Sequence, residues 1–285
     1  MTKKSLTEAL QFYVDNDLNE VISEKSQNHF RHFLQKSVVK KVAEEKKSPS
    51  VNNFIKPQFS TDQALSTLAK KFVTPEPNSK FESLNEIVAK AKSLAQAAKT
   101  IDALRKAVEN FDGCNLKKMA TNTVFADGNP NSKVMVIGEA PGNHEDLQGI
   151  PFCGDSGQML NDMLGAINLT RAESFYITNV IFWRPPGNRR PTDEELAICR
   201  PFVERHIQLI NPDVLLLVGA TSMSAVLGVN DPIGKVRGQF IDFSPKFLSR
   251  TIKTFTIFHP SYLMRQPSKK RVAWQDMLAL EKFLK

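Results

Sequence analysis

The first 110 residues contain no glycine, although the chain has 13. A segment without glycine lacks the tight turns that a compact alternating α/β domain needs, so the chain changes character near residue 111. Cysteine is scarce as well. Cys114, Cys153 and Cys199 are the only three in 285 residues, too few for a disulfide framework and in keeping with a reducing cytosol. No apolar run approaches the roughly 20 residues that cross a bilayer, so no membrane-spanning helix and no membrane partner is expected. The opening Met1-Thr-Lys-Lys-Ser lacks the apolar core of a secretion signal, and Glu8, Asp15 and Asp17 count against an organelle transit peptide. The expected location is therefore cytoplasmic, in a bacterial cytosol or nucleoid. Acid is in short supply: 30 Asp and Glu against 38 Lys and Arg leave a net charge of +8, which favours a polyanionic partner.

What is present divides into two parts, 1–110 and 111–285. In the first, Leu6, Leu10, Phe12 and Tyr13 share one face of a short amphipathic helix, and residues 24–57 read as a flexible basic linker. A second helix begins at Ser60 or Thr61 and is broken by Thr74-Pro-Glu-Pro. From Leu84 to about Val108 the apolar spacing is helical again. This is an arm of helices that carries no evident chemistry. In the second part apolar runs alternate with helical patterns. Strands are predicted at Val134–Ile137, Phe175–Ile181, Val214–Val218 and Phe255–Phe258, with helices at about 157–167, 193–210, 220–227 and 268–284. The fold class is α/β: a three-layer sandwich around a four-stranded, mainly parallel sheet. Such folds place their sites beyond the carboxyl ends of the strands.

Those ends carry the candidate chemistry. The first is Gly138-Glu139-Ala140-Pro141-Gly142, followed by Glu145 and Asp146. Small residues let backbone N–H groups approach a ligand, but three carboxylates would repel phosphate and better suit orienting a water or facing a cationic transition state. Taken alone, a polar turn explains the loop equally well. Phe152 lies among turn formers before a helix, where an aromatic can stack on a flat ring, although an aromatic in a loop is more often an anchor. Ser156 and Gly157 stand where a helix N-terminus could meet a phosphate. Asn179 ends the second strand, and its amide can read the edge of a nucleobase unless the backbone satisfies it. Arg184-Pro-Pro-Gly-Asn-Arg189 is a stiff basic loop suited to a nucleic-acid backbone or simply to solvent. His259-Pro-Ser261 closes the fourth strand. No Asp or Glu occurs from Phe243 to Gln275, while seven Lys and Arg do, the clearest compositional sign of a polyanion-binding face.

Taken in order and approximate spacing, the segments Gly138-Glu-Ala-Pro-Gly142, Glu145-Asp146, Pro151-Phe152, Gly157-Gln158, Thr178-Asn179-Val180, Arg184-Pro-Pro-Gly-Asn-Arg189 and His259-Pro-Ser-Tyr-Leu263 resemble the family-four uracil-DNA glycosylases over about 111–285. The opening Ala9-Leu-Gln-Phe-Tyr-Val is similar to an extension found in a bacterial subgroup. The resemblance implies hydrolysis of the N-glycosidic bond of deoxyuridine in DNA, leaving an abasic site and initiating base excision repair. The target base must flip out of the stack to be reached. Phe152 is then expected to stack on the uracil and Asn179 to bond its edge. His259, with backbone N–H groups at Ala140 and Gly142, is expected to donate to the leaving base. Glu145 is the first choice for orienting the water and Glu139 the second. Ser156, Gly157, Arg184, Arg189, Ser261 and Arg265 are expected along the DNA. Tyr262, Leu263 or Met264 is expected to wedge into the vacated space, with Leu263 the first choice.

The same family binds a 4Fe-4S cluster through four cysteines. Here Cys114 and Cys199 remain at two of those positions, while Phe111 and Trp183 occupy the others and cannot ligate iron. No metal and no cluster is therefore expected. Two other readings stay open: a DNA-binding module of a polymerase or repair assembly, as in related phage polymerase sequences, and a glycosylase for another deaminated base. A repair or replication protein bound through the N-terminal arm is a possible further partner.

Overall fold

A computed structural model describes residues 82–285. The helices expected at Leu6 and near Ser60 and the basic linker at 24–57 lie outside the described residues. The single helical run expected from Leu84 to Val108 is two helices, α1 (Leu84–Ala97) and α2 (Ile101–Glu109). Ser83 and Glu86 form a reciprocal cap at the first, and Thr100 restarts the second by accepting the Ala103 N–H at 3.1 Å.

The sheet has six strands rather than four. Its centre matches the expectation: β2 (Val134–Gly138), β3 (Phe175–Asn179), β4 (Val214–Val218) and β6 (Ile252–Ile257) run parallel. Two antiparallel edge strands, β1 (Ala126–Gly128) and β5 (Phe240–Phe243), complete the order β1-β3-β2-β4-β6-β5. Both are too short to show a period of two, and Ala-Asp-Gly has no intrinsic strand preference, so neither was legible. The second strand was expected to reach Ile181 but stops at Asn179. Beyond it the Val180 and Ile181 N–H groups donate to the carbonyls of Gly138 and Glu139 at 2.9 and 3.1 Å.

Alternation along the central strands sorts the core onto two faces. Val134, Val136, Leu216 and Ile257 turn towards Leu160 and Leu164 of α4 (Asp155–Gly165) and Met277 and Leu280 of α9 (Lys270–Leu284). Met135, Ile137, Leu215 and Leu217 turn towards Phe202 and Ile207 of α5 (Asp193–Ile210), Met223 of α6 (Ala220–Leu227), and Ala91, Leu104 and Val108 of α1 and α2. Among the described residues no helix is long and apolar enough to cross a membrane.

One polar pair is sealed into this core. His206 of α5 is fully buried, its Nε2 lies 2.8 Å from the Tyr176 hydroxyl, and its ring stacks on Phe125 at 4.5 Å. Burial, with Arg105 adding to it, lowers its pKa to about 3 from 6.5. The folded state therefore holds the neutral ring and binds fewer protons than the unfolded chain. Stability from this site is complete above pH 6.5 and declines as pH falls towards about 3, by up to about 1.4 kcal/mol per pH unit. His206→Gln, which keeps a partner for Tyr176, is expected to flatten that acid slope in urea titrations run from neutral to mildly acidic pH; an unchanged slope would assign the titration elsewhere.

Candidate active site

The parallel strands end along one edge of the sheet, Gly138 in register with Asn179 and Val218 with Ile257. A cleft of about 450 Å³ opens there, lined among others by Glu139, Ala140, Phe152, Asn179, His259 and Arg265. Four segments far apart in the chain thus converge where the sheet stops.

Asn179 is 1% exposed, and its Oδ1 has no hydrogen-bond partner. A buried acceptor left unpaired costs about 1–3 kcal/mol, which a ligand N–H would recover. Space beside it exists because residue 138 has no side chain. A Cβ there would lie 2.4 Å from Asn179 Oδ1 and 2.3 Å from Phe152 Cζ. Phe152 itself is held at φ +52°, in the left-handed region that costs a bulky residue about 1–3 kcal/mol. Its ring faces that of His259 with centroids 5.8 Å apart and 28° between planes.

The protonation of His259 follows from its neighbour. The Ser261 backbone N–H can only donate, and it points at Nδ1 from 3.2 Å, with the Ser261 hydroxyl 2.8 Å from the same atom. Nδ1 accepts, so the neutral ring carries its proton on Nε2 and is a hydrogen-bond donor in the cleft wall. Burial holds its pKa below the ordinary value, opposed by the charge of Glu139. Gly219, at φ +96°, lets the chain pass behind the ring, where a Cβ would stand 3.2 Å from that of His259.

The carboxylates of the first loop divide into different tasks. Both oxygens of Glu145 are engaged, Oε2 by the Gly142 N–H at 3.0 Å and Oε1 by the Gly154 N–H at 2.9 Å. Glu145 thereby ties the 138–142 loop to the 149–154 loop, and the Gly142 N–H expected for substrate is already used. Asp146 is buried and accepts from Thr121 and Asn122 at 2.8 and 3.2 Å, which makes it a buttress. Glu139 lines the cleft, its carboxylate has no hydrogen-bond partner among the described residues, and the Ala140 N–H has no acceptor among them.

Several expected DNA contacts stand differently. Gly157 is buried against the backbone of Phe152, with its absent Cβ 1.9 Å from the Phe152 carbonyl oxygen, so it serves packing and faces no phosphate. Leu263 is fully buried among Phe258, Ala273 and Tyr262, because α8 (Pro260–Arg265) turns it inward; Met264, 46% exposed, is the apolar side chain on the outside. Arg189 is paired with both oxygens of Glu195, at 2.6 and 2.9 Å. Its neighbour Arg190, in the same basic loop, is exposed at the cleft edge, and its guanidinium donates to the Thr221 hydroxyl at 3.1 Å. Ser156 and Arg265 line the cleft, Ser261 holds His259, and Arg184 bonds Asn143 and Asn188, each at 2.7 Å.

The residues around Cys114 do not fit a four-iron cluster. Cys114 and Cys199 are buried free thiols in the same core cluster, and their interaction pushes the Cys199 thiol up and the Cys114 thiol down. Phe111 packs edge-on against Phe202 with centroids 5.1 Å apart, and Trp183 Nε1 donates to Thr123 at 2.9 Å, both side chains 1% exposed in the same buried cluster. Carbon occupies the two remaining ligand positions. Among the described residues no three His, Cys, Asp or Glu side chains are grouped to hold a metal. Cys153 stands apart in the 149–154 loop, its thiol pushed up by burial and by Glu145.

With this geometry in hand, comparison with known proteins is specific. The Uracil DNA glycosylase superfamily profile matches residues 125–278. A type-4 uracil-DNA glycosylase of Thermotoga maritima is 37% identical over 188 residues, 65% of this chain and 95% of the relative. One from Sulfurisphaera tokodaii is 32% identical over 181 residues, 62% of this chain and 81% of that protein. A DNA polymerase of Bacillus phage SP01 is 23% identical over 169 residues, 59% of this chain but 18% of the polymerase.

Proposed function

Since the chain belongs to the uracil DNA glycosylase superfamily, we propose that it is a uracil-DNA glycosylase, hydrolysing the N-glycosidic bond of deoxyuridine in DNA to leave an abasic site that enters base excision repair. The observation that carries this is the buried, unpartnered Oδ1 of Asn179 beside Phe152 at the strand ends. Uracil offers an N3–H to that oxygen and a carbonyl to the same amide, whereas cytosine presents an acceptor at N3 and an amino group beside it. A site that leaves a buried polar atom unpaired with the wrong base discriminates strongly.

The base leaves its duplex and stacks on Phe152. As the bond to the sugar breaks, negative charge grows on the uracil ring and positive charge on the sugar. Nε2–H of neutral His259 and the free N–H of Ala140 donate to the uracil oxygen, a preorganised contribution of about 3–4 kcal/mol for one such donor. Glu139, with its lone pairs unspent, orients the attacking water and faces the cationic sugar. Glu145 acts a step back, by joining the two loops that carry Ala140 and Phe152. This reverses the order in which the sequence ranked the two carboxylates, because both oxygens of Glu145 are occupied. Arg184, Arg190 and Arg265 hold the DNA backbone, and Met264 replaces Leu263 as the wedge. The chain works without an iron–sulfur cluster, Phe111 and Trp183 packing where two thiolates would stand.

Four measurements test this. On an oligonucleotide with one deoxyuridine, wild type should yield alkali-labile ends while His259→Ala slows cleavage about 100-fold and still binds. Binding without cleavage by either protein would favour the DNA-binding module that the phage polymerase match suggests. With a neutral donor the rate should be level above about pH 6.5 and fall only on the acid side, whereas a required imidazolium would make it fall as pH rises. Glu139→Gln should slow the chemical step by about 100-fold and more than Glu145→Gln does; the opposite order would return the water to Glu145. Purified protein should contain no iron, against four per chain for a cubane.

A further inference from the structure

Arg171 belongs to none of the motifs discussed above. It sits in the turn before β3, yet all of its donor capacity is spent behind the cleft. Its Nη1 donates to the Pro151 carbonyl at 2.7 Å and to Asp127 at 3.0 Å. Its Nη2 donates to the Phe152 carbonyl at 2.8 Å and to Asn161 at 3.2 Å, and Nε reaches the same Asn161 oxygen at 3.3 Å. A guanidinium has five N–H groups, and five contacts use them. Two of these contacts fix the carbonyls of the two peptide units that flank Phe152, which stands at positive φ. The other partners come from edge strand β1 and helix α4, so the fork ties the loop and the helix that follows it to a distant edge strand.

We propose that Arg171 is a positioning residue of the base site: its fork holds the two peptides flanking Phe152 so that this residue keeps the left-handed conformation that presents its ring to the flipped base. The proposal rests on the glycosylase reading above. Nothing else described holds those two carbonyls. The Gly157 backbone lies against Phe152 but offers contact only, since its absent Cβ would fall 1.9 Å from the carbonyl oxygen. Released from the fork, the peptide is free to relax to the extended region that an aromatic residue prefers, and the ring leaves its place beside Asn179 and His259. A lysine has one charged centre and three donors and cannot reproduce the planar grip.

The test compares wild type, Arg171→Gln, Phe152→Ala and the double variant in single-turnover cleavage of a deoxyuridine oligonucleotide, with inhibition by free uracil measured alongside. Arg171→Gln is expected to slow the chemical step by about 100-fold, the scale of a misplaced contact. Inhibition by free uracil should weaken, the half-saturating DNA concentration should hold, and the double variant should be no slower than the slower single one. Activity lost only in proportion to the unfolded fraction, unchanged uracil inhibition, or losses that multiply in the double variant would each overturn the proposal. If Arg171→Gln does not fold, Asp127→Asn, which loosens the same guanidinium from its exposed side, takes its place in the scheme. A wild type that cleaves nothing overturns the glycosylase reading and this proposal with it, whereas failure among the variants of a cleaving enzyme overturns the proposal alone.

Discussion

Burial of the central sheet on both faces is the constraint from which the rest of the molecule follows. β2, β3 and β4 have every residue buried, and the helices on each side leave no solvated face. Apolar side chains can fill both faces, and in these three strands each polar side chain either finds a partner or sits at an end. Thr178 illustrates the first solution, its hydroxyl donating to the Phe125 carbonyl at 2.6 Å. Asn179, one residue further on, illustrates the second: it is the first place along β3 where an amide can stand unpaired beside a cavity.

At the strand ends the geometry is kept by side chains that bond to the protein itself. Glu145 joins two loops through backbone N–H groups, Arg171 joins a loop to an edge strand and a helix, and Ser261 sets the tautomer of His259. Each spends hydrogen bonds on the backbone or ring of a neighbour, so the cleft is shaped before anything enters it. Preorganised donors of this kind act on developing charge without having to reorient, which is the main way such a site lowers a barrier.

The sequence exposed the parts of the structure that repeat. Buried parallel strands read as short apolar runs ending in Gly138 and Gly219, and the helices between them were placed to within a few residues. The two edge strands were hidden because three or four residues show no period, and the α1–α2 break was hidden because the apolar spacing continues through it. At the site, Phe152, Asn179 and His259 were legible as strand-end residues of the right chemistry. Engagement was not. That both oxygens of Glu145 are engaged, that Arg189 is paired with Glu195 while Arg190 is exposed, and that Leu263 faces inward depend on distances that loop and helix geometry sets. Arg171 gave no signal, since Thr-Arg-Ala-Glu-Ser before a strand reads as an ordinary solvated turn.

The aromatic packing around Cys114 changes what this part of the scaffold depends on. Where the resemblance implies metal–thiolate bonds, Phe111 packs edge-on against Phe202, and Trp183 packs against Phe182 in the same buried cluster. On the proposed cluster-free reading, this core needs no iron supply and no assembly machinery before it folds, and chelators or oxidants find no cofactor there to remove. Its weakness lies on the thermal axis instead, because hydrophobic contact loses strength on cooling.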